Sequence, residues 1–593
     1  AVTGTVYGGF TDSADGKATE NTVTIEQAIT GDVIGGQSQG DATGNTVKIT
    51  ANVGRVMGGK SIDAAASNNT ADIGSDAEDI ATGDVTGGKG AATASGNTVK
   101  LLRANVTGDV IGGDGRTANG NNLHLDRTTV TGDIIGGKGT IANGNTVRLS
   151  NTTVAGIITG STQADGDNNT LHIDGKNTAK NIRGFQKITF NTNTAAGSSP
   201  MLTLAHGGET TLAAKDHIEV NGSTAHGKIT LLHNANGIRI QGHTDGVLKS
   251  TTTDTAEQNI GIEKSGAKIT SITYEGWQFA GVKTPAIHGR DVYGGISKAG
   301  NTTHDNAITV NGDYTNVYGG HTSGSGTQRA EQGSSTKNTV TITGGTLGSV
   351  YGGFTTAENG TTTGNTVHLG DGTHELAPRT QIAEIYGGNK TAAGNTLCIH
   401  TAAKVGKIAH FEKIVFRYKD TIDAATPLLK LYGGAAELDM NAIEIHGKAT
   451  EKPVTLVENL DGLTLKNHDG SLKSERNSEG TQETNLEVKK TGGKTTRIIR
   501  YAYTFKGATA AKTLDGSTWG GRSAAGNTTT GNAITLTAGS HTNVYGGWTT
   551  GKGSKADAKD CGDSTKNTVL IKENAAVTGT VYGGFTDVAD GKA

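Results

Sequence analysis

Residues 31–49 read GDVIGGQSQGDATGNTVKI, and two phrases of this stretch, V-I-G-G and G-N-T-V, return in near copies along the chain. The asparagine of the second phrase recurs at intervals of 24, 24, 28, 24, 24 and 24 residues. Its positions are Asn21, Asn45, Asn69, Asn97, Asn121, Asn145 and Asn169. A fixed period of this length is typical of proteins in which each repeat is one structural unit.

Each repeat predicts short strands joined by polar loops. Val47 and Ile49 alternate with Thr46 and Lys48, which is the period of a half-buried strand. One repeat cannot bury its thin apolar face alone, whereas a stack of repeats buries a continuous column. We therefore predict an all-β fold, a β-solenoid with ~24-residue coils, and within that class a parallel β-helix.

The composition excludes several other classes. Glycine supplies 92 of the 593 residues, and only 33% of the residues are hydrophobic, so cores of buried helices are disfavoured. Lysine and arginine (53) nearly balance aspartate and glutamate (56), so bulk charge predicts no nucleic-acid partner. No apolar run reaches the ~18–20 residues of a membrane helix, and we expect membrane attachment only through segments absent from this chain.

A second, longer repeat alternates with the first. Residues 185–190 (FQKITF) match residues 411–416 (FEKIVF) within an aliphatic-richer module that occurs twice. Five segments follow: glycine-pair coils over 1–174, 286–400 and 513–593, and the aliphatic-richer solenoid module over 175–285 and 401–512. Residues 2–12 recur unchanged at 577–587, from which we expect the chain to be one period of a longer repetitive protein.

These motifs together resemble the passenger regions of large autotransporter-type adhesins of Gram-negative bacteria. The resemblance covers essentially the whole chain and rests on the GNTV and VYGG phrases and on the F-x-K-I-x-F segments. It implies a right-handed β-helix, secretion across the outer membrane and display on the cell surface. It implies no catalytic residue, because none of the motifs is catalytic.

The repeated polar and glycine positions have a structural interpretation. Asparagine amides stacked at strand spacing can bond to one another along the coil axis, so we predict an asparagine ladder rather than a ligand-binding face. The glycine pairs are predicted to form corners that need positive φ or close backbone approach. Representative pairs are Gly8 and Gly9, Gly35 and Gly36, Gly319 and Gly320, and Gly352 and Gly353.

Aromatic residues beside the glycine pairs are the candidates for contact with a partner. Tyrosine precedes many pairs, while Ile34, Met57, Ile111 and Ile135 take that place within residues 31–160. The interchange favours a packed or half-buried position, and exposed tyrosines remain the alternative, as a surface for sugars or proteins. The candidate contact residues are Tyr318, Tyr351, Tyr386, Phe10, Phe354 and Trp548.

No pattern predicts catalysis, a cofactor or a metal site. Asp32, Asp84, Asp109 and Asp133 share one repeat position, but Thr5, Arg55 and Ile157 interrupt the row, so we interpret them as exposed solubilising charges. The histidines lack metal spacing. Cys398 alternates with Leu397 and Ile399 and is predicted to point outward, too far from Cys561 for a disulfide.

We therefore expect a non-enzymatic, extracellular adhesin stalk, anchored at the outer membrane, whose partners are host or bacterial surface glycans or proteins. The alternative is a structural subunit of an extracellular filament or sheath, formed by self-association of solenoids. One exposed aromatic patch recurring along the coils favours the first, and self-complementary lateral faces favour the second.

Overall fold

The computed structural model describes residues 2–162, 166–195, 197, 199–205, 207–212, 217–222, 227–243, 246–324, 333–373, 375–390, 393–418, 426–447, 452–467, 474–514, 516–551 and 562–593. Contacts between Cα atoms divide the chain into two units, Ala1–Gln278 and Phe279–Ala593. About 57% of the chain is strand, and the two units together contain about 19 stacked coils of about 26 residues. The predicted all-β solenoid is confirmed. The hand of the coils stays a prediction.

The first unit begins with the glycine-pair coils. Its strands are β1 (Val6–Phe10), β2 (Thr22–Ile25), β3 (Val33–Ser38), β4 (Thr46–Ile49), β5 (Val56–Ser61), β6 (Thr70–Gly74), β7 (Ile80–Thr82), β8 (Val85–Lys89), β9 (Thr98–Leu102), β10 (Ala104–Val106), β11 (Val110–Asp114), β12 (Asn122–Asp126), β13 (Thr129–Val130), β14 (Ile134–Lys138), β15 (Thr146–Ser150), β16 (Thr153–Val154), β17 (Ile157–Ser161), β18 (Thr170–Asp174), β19 (Asn177–Ala179), β20 (Asn181–Arg183), β21 (Lys187–Asn191), β22 (Leu202–Leu204), β23 (Thr210–Leu212), β24 (Ile218–Asn221), β25 (Gly227–Asn234), β26 (Ile238–Ile240), β27 (Val247–Thr252), β28 (Ala256–Ser265) and β29 (Lys268–Gln278). A 3₁₀ turn covers Thr192–Thr194.

The second unit repeats this arrangement with longer strands. They are β30 (Ala286–His288), β31 (Asp291–Ser297), β32 (Thr303–His304), β33 (Ala307–Asn311), β34 (Tyr314–Thr322), β35 (Ser335–Thr336), β36 (Thr339–Gly344), β37 (Thr346–Thr355), β38 (Thr366–Leu369), β39 (Gln381–Gly388), β40 (Thr396–Ile399), β41 (Ala403–Ala409), β42 (Lys413–Phe416), β43 (Leu429–Leu431), β44 (Ala436–Asp439), β45 (Ile443–Ile445), β46 (Val454–Asn459), β47 (Leu463–Lys466), β48 (Ser474–Arg476), β49 (Gln482–Thr491), β50 (Lys494–Thr504), β51 (Lys512–Leu514), β52 (Ser517–Ser523), β53 (Thr529–Thr530), β54 (Ala533–His541), β55 (Asn543–Thr549), β56 (Ser564–Thr565), β57 (Thr568–Val577) and β58 (Val581–Thr586). A 3₁₀ turn covers Met440–Ala442.

Parallel pairing between successive coils builds the sheets of the first unit. One sheet runs β1-β3-β5-β8-β11-β14-β17-β20, and a second runs β2-β4-β6-β9-β12-β15-β18-β21-β24. Equivalent residues pair, so Val47 lies between Val23 and Ala71 in the ladder. The inward members of these columns are fully buried, as at Val99 and Leu123, and each contributes about 1.5–3 kcal/mol to folding.

The coil length differs between the units. The asparagines that bond between coils are mostly 24 residues apart in the first unit, whereas bonded pairs in the second unit are 32, 27, 30 and 35 residues apart. The mean of about 26 residues per coil agrees with the predicted ~24-residue coil, and the second unit departs from it most. The additional residues lie between the paired strands, so the register of the ladder is kept.

The aliphatic-richer modules were predicted to be coils throughout, and this is wrong for their second halves. In the first unit β25 pairs in parallel with β22 but antiparallel with β29, and β29 pairs antiparallel with β28. In the second unit β46, β50 and β49 pair in the same way. Tight turns join β28 to β29 and β49 to β50, and Gly266, Gly492 and Gly493 in these turns have positive φ.

Candidate contact surface

The predicted asparagine ladder is present in the first unit. Asn121 is fully buried, and its backbone N–H and its Nδ2 donate to Oδ1 of Asn145 at 2.9 and 3.0 Å. Asn97 donates to Asn121 in the same way, at 3.0 and 3.1 Å. The same double bond joins the members of the series Asn21, Asn45, Asn69, Asn97, Asn121, Asn145 and Asn169. Each side-chain oxygen therefore satisfies two donors of the preceding coil, which is a structural role.

The ladder ends on a residue that the sequence reasoning missed. The backbone N–H of Asn169 donates to Oε1 of Gln186 at 2.9 Å, so a glutamine side chain takes the place of the next asparagine. In the second unit the ladder runs from Asn306 through Asn338 and Asn365 to Asn395. A further bond joins Asn532 to Asn567.

The glycine pairs lie in strands and not at corners with positive φ. Gly8, Gly9, Gly35, Gly36, Gly319, Gly320, Gly352 and Gly353 are all in strands, and none has a left-handed backbone. Close approach is the correct part of the prediction. A Cβ on Gly36 would lie 2.6 Å from Nδ2 of Asn45, and one on Gly353 would lie 2.6 Å from Nδ2 of Asn365. The glycines are required because the asparagine ladder occupies the space of a side chain.

The aspartate row also bonds between coils, a structural role that the interpretation as solubilising charge missed, although Asp84 is exposed as predicted. Oδ1 of Asp84 accepts from the backbone N–H of Asp109 at 2.9 Å, and Oδ1 of Asp109 accepts from that of Asp133 at 2.8 Å. Asp32 accepts from the N–H of Arg55 and pairs with its guanidinium at 2.7 Å. These bonds to Arg55 lower the pKa of Asp32. Each carboxylate thus holds the residue at its own position in the next coil.

A strip of stacked rings, here called the tyrosine strip, lies on the outer face of the second unit. It consists of Tyr293, Tyr318, Tyr351 and Tyr386, which pair in register across β31, β34, β37 and β39. Successive ring centroids are 5.1, 5.4 and 5.0 Å apart, with interplanar angles of 16°, 8° and 10°. The rings are half-buried, as the interchange with aliphatic residues predicted.

A second column of rings supports the tyrosine strip. His321 stacks on Phe354 with centroids 5.0 Å apart, and Phe354 meets the edges of Tyr318 and Tyr351 at 5.3 and 5.1 Å. Burial lowers the pKa of His321 to about 4, and it raises the pKa of Tyr318 to about 12. The histidine is therefore neutral and the phenol protonated at neutral pH.

The stacking decides what the strip can bind. Both faces of Tyr318 and Tyr351 are covered by neighbouring rings, so solvent meets ring edges and hydroxyl groups. A sugar ring cannot stack on an internal member of such a column. A flat surface that offers apolar contact and hydrogen-bond acceptors, as a protein does, is the better match.

In the first unit the same strand position is aliphatic or threonine beyond the first coil. Tyr7 pairs with Ile34, and the column continues through Met57, Thr86, Ile111 and Ile135 to Thr159. Tyr7 and Phe10 are 40% and 57% exposed, and their rings meet edge to face at 5.2 Å. Phe10 is thus the most exposed of the predicted contact aromatics.

Trp548 belongs to a separate aromatic group at the end of the second unit. The Arg522 guanidinium carbon lies 4.4 Å from the Trp548 ring centroid, 4.8 Å from that of Trp519 and 4.5 Å from that of Tyr503. Tyr545 stacks on Trp548 at 4.4 Å. We call Arg522 with its three rings the aromatic box. Sequence reasoning missed Arg522 because its contacts come from distant strands.

Cys398 is buried, at 5% exposure, although its alternation with Leu397 and Ile399 predicted an outward position. It lies between His368 and Val415 in the ladder, and burial raises the pKa of its thiol. Nδ1 of His368 is 3.1 Å from Nε2 of His400. Cys561 lies outside the described residues.

Among the described residues, no three histidine, cysteine, aspartate or glutamate side chains gather as a metal site requires. No helix in the described part of the chain has the length and apolarity needed to cross a bilayer.

Comparison with known proteins gives no match: no protein-family profile, no curated protein and no solved structure matches the chain.

Proposed function

We propose that the protein is a non-enzymatic, extracellular surface protein that acts as an adhesin stalk. Its stacked coils would hold contact side chains, chiefly the tyrosine strip, away from the cell surface. The observation that carries the proposal is that each coil has a constant inner position and a variable outer position. One buried hydrogen-bond ladder repeats, while the outer position changes between tyrosine and aliphatic residues.

The ladder lets coils of different length stack on one another, so coils can be added to the protein without a change in the contacts between them. Bonded asparagines are 24 to 35 residues apart, so loops change while the bond between coils stays the same. In such proteins each coil contacts only its neighbours, and stability grows with each added coil. Contacts that are weak singly can add along a repeated surface when several engage together.

Display on the outer membrane of a Gram-negative cell, in the manner of an autotransporter passenger, is the part of the proposal that rests on sequence resemblance alone. Surface glycans or proteins of a host or of neighbouring bacteria are the proposed partners. The geometry of the tyrosine strip favours proteins, because the stacked rings expose edges and hydroxyl groups.

Electron microscopy of producing cells, with immunogold against this chain, tests the proposal. We expect gold along single thin projections rooted in the outer membrane, and loss of adhesion in cells that lack the protein. Gold confined to the cytoplasm would contradict the proposal.

A structural subunit of an extracellular filament or sheath is the second candidate. The specific observation in its favour is the regular column of ring edges, which suits lateral packing between copies as well as contact with a partner. Continuous fibres of several chains, formed by the purified protein, would favour this function over the stalk.

A further inference from the structure

Two large apolar side chains are exposed next to each other in the second unit, and we call them the apolar pair. Tyr432 is 49% exposed and Leu460 is 60% exposed. They directly follow Leu431 and Asn459, which pair in the ladder between β43 and β46. The two side chains therefore start on neighbouring coils, about 4.8 Å apart. Single exposed apolar residues are ordinary, whereas adjacent ones indicate a contact surface.

The ring of Tyr432 is held on the surface before any partner arrives. Its hydroxyl donates to the Ile382 carbonyl at 2.9 Å, while its backbone N–H donates to the Val405 carbonyl at 3.2 Å. Val405 and Ile382 pair in the ladder, so the ring extends across the coil of Val405. Gly406, the next residue of that coil, is buried and has no side chain to displace the ring. An ordered ring loses little entropy on contact.

Opposite charges flank the apolar pair. Lys407 and Asp461 are exposed, and they lie two residues beyond the ladder positions Val405 and Asn459. The Lys407 ammonium is 5.8 Å from the centre of the Tyr386 ring. Among the described residues, no carboxylate pairs with Lys407 and no cation pairs with Asp461. Both charges are therefore open to a partner of opposite sign.

The equivalent module of the first unit lacks all four side chains. Its ladder has the same register, since Leu204 pairs with Asn234 as Leu431 pairs with Asn459. The positions of Lys407, Tyr432, Leu460 and Asp461 are taken there by Asn181, Ala205, Ala235 and Asn236. The coil forms without the apolar pair and its charges, so the fold does not require them.

The surface fits a second copy of itself. A two-fold axis at the coil of Tyr432 reverses the order of the coils in the second copy. The coil of Leu460 then faces the coil across which the tyrosine ring of the second copy extends. Each Leu460 packs on the opposite ring, and each Lys407 meets the Asp461 of the other copy. Both contacts occur twice.

We propose that the apolar pair and its flanking charges join two copies of this chain in antiparallel orientation. The inference concerns a surface separate from the tyrosine strip and goes beyond the stalk role. A two-fold contact is closed, so it gives pairs of chains rather than filaments. The two side chains offer roughly 200 Å² of apolar surface per copy, well below the ~800 Å² per partner of a stable interface. The association is therefore weak and reversible.

Sedimentation equilibrium of the full chain at low ionic strength tests the proposal. We expect a monomer–dimer equilibrium with a Kd of about 10–100 µM. Tyr432→Ala and Leu460→Ala introduce the residues of the first unit, so they should keep the fold, as circular dichroism checks. Each should raise the Kd at least about tenfold, because each change is made twice in a symmetric dimer. Lys48→Glu, which changes an exposed lysine of the first unit, should leave the Kd unchanged.

Charge reversal tests the antiparallel orientation. Lys407→Asp or Asp461→Lys alone places like charges opposite each other and should weaken the dimer, whereas the two changes together should restore it. A dimer that Tyr432→Ala and Leu460→Ala leave intact, or one that the double reversal fails to restore, would overturn the proposal. A chain that stays monomeric at about 1 mM would do the same and would assign the surface to a different protein. Each result is independent of the microscopy that tests the stalk.

Discussion

The outer column of the first unit and the tyrosine strip of the second occupy the same position of the repeat. Ile111 pairs with Ile135 in the first unit, and Tyr318 pairs with Tyr351 in the second. Behind both columns the asparagine ladder has the same bonds, at 3.0 Å from Asn121 to Asn145 and 3.0 Å from Asn338 to Asn365. The coil thus tolerates different side chains outside while its inner ladder is unchanged.

This comparison separates what the fold requires from what it permits. The asparagine ladder is required because its side chains bond successive coils together. The facing glycines are required because the asparagine amides occupy the space that a side chain would need. The outer column can vary, so the residues that contact a partner can change there without loss of the fold. The following predictions test that separation.

Asparagine replacement should have the largest effect, and an equal one in both units. Asn121→Ala removes the acceptor of the buried N–H and Nδ2 of Asn97, and Asn365→Ala removes that of the N–H and Nδ2 of Asn338. We expect a loss of roughly 3–5 kcal/mol at the affected coils, since unsatisfied buried groups cost about 1–3 kcal/mol each. Amide hydrogen exchange, read coil by coil, measures it.

The matched control is Asn122→Ala, which changes an exposed asparagine in the same coil. It should alter stability by no more than about 0.5 kcal/mol. A comparable loss of stability from this variant would show that the stabilisation is not specific to the asparagine ladder.

Replacing a glycine that faces the ladder with alanine should reduce the free energy of unfolding slightly less than the asparagine replacements do. In Gly36→Ala the new Cβ meets the Asn45 amide, and in Gly353→Ala it meets the Asn365 amide and the Ser335 carbonyl oxygen at 2.6 Å. We expect about 2–3 kcal/mol in each unit, measured by urea unfolding. Gly4→Ala, where the new Cβ meets nothing within 4 Å, should be neutral. A neutral Gly353→Ala would contradict the close approach.

Acid should affect the tyrosine strip through His321. Burial lowers its pKa from 6.5 to about 4, so the folded strip holds the neutral ring while the unfolded chain binds a proton. Its contribution to stability is present above pH 6.5 and is lost as the pH falls, by roughly 2 kcal/mol at about pH 5, since one pKa unit corresponds to about 1.4 kcal/mol. We expect hydrogen exchange in β34 to increase over this range. In His321→Phe that share of the acid response should disappear.

The inner features could be predicted from the sequence where one residue type returned at one spacing. The asparagine phrase revealed both its ladder and the solenoid. The aspartate bonds were missed because a carboxylate bonds to the backbone of the following coil, whatever side chain stands there, as Ile157 illustrates with the Asp133 carboxylate at 2.7 Å. Each aspartate of an interrupted row therefore still bonds to the backbone of the following coil.

Other features depend on contacts that no local pattern encodes. A glycine pair reads as a turn in isolation, and only the neighbouring asparagine explains Gly36 in a strand. The residues around Lys494 did carry a usable signal, since Gly492-Gly493 between two alternating segments is typical of a two-residue hairpin. Arg522 carried none, because the ring of Tyr503 reaches it from another strand.

Exchange of the outer residues should have the smallest effect. Tyr318→Ile removes stacking on Tyr293 and Tyr351 and should cost about 1–2 kcal/mol, because each aromatic pair contributes roughly 0.5–1.5 kcal/mol. Ile111→Tyr or Ile135→Tyr alone gains no ring to stack on and should change stability by less than about 1 kcal/mol. Together the two tyrosines face each other in register, so a double-mutant cycle should show a favourable coupling of about 0.5–1 kcal/mol. A coupling of zero would mean that register alone does not build the strip, and that the longer loops of the second unit are needed to hold its rings together.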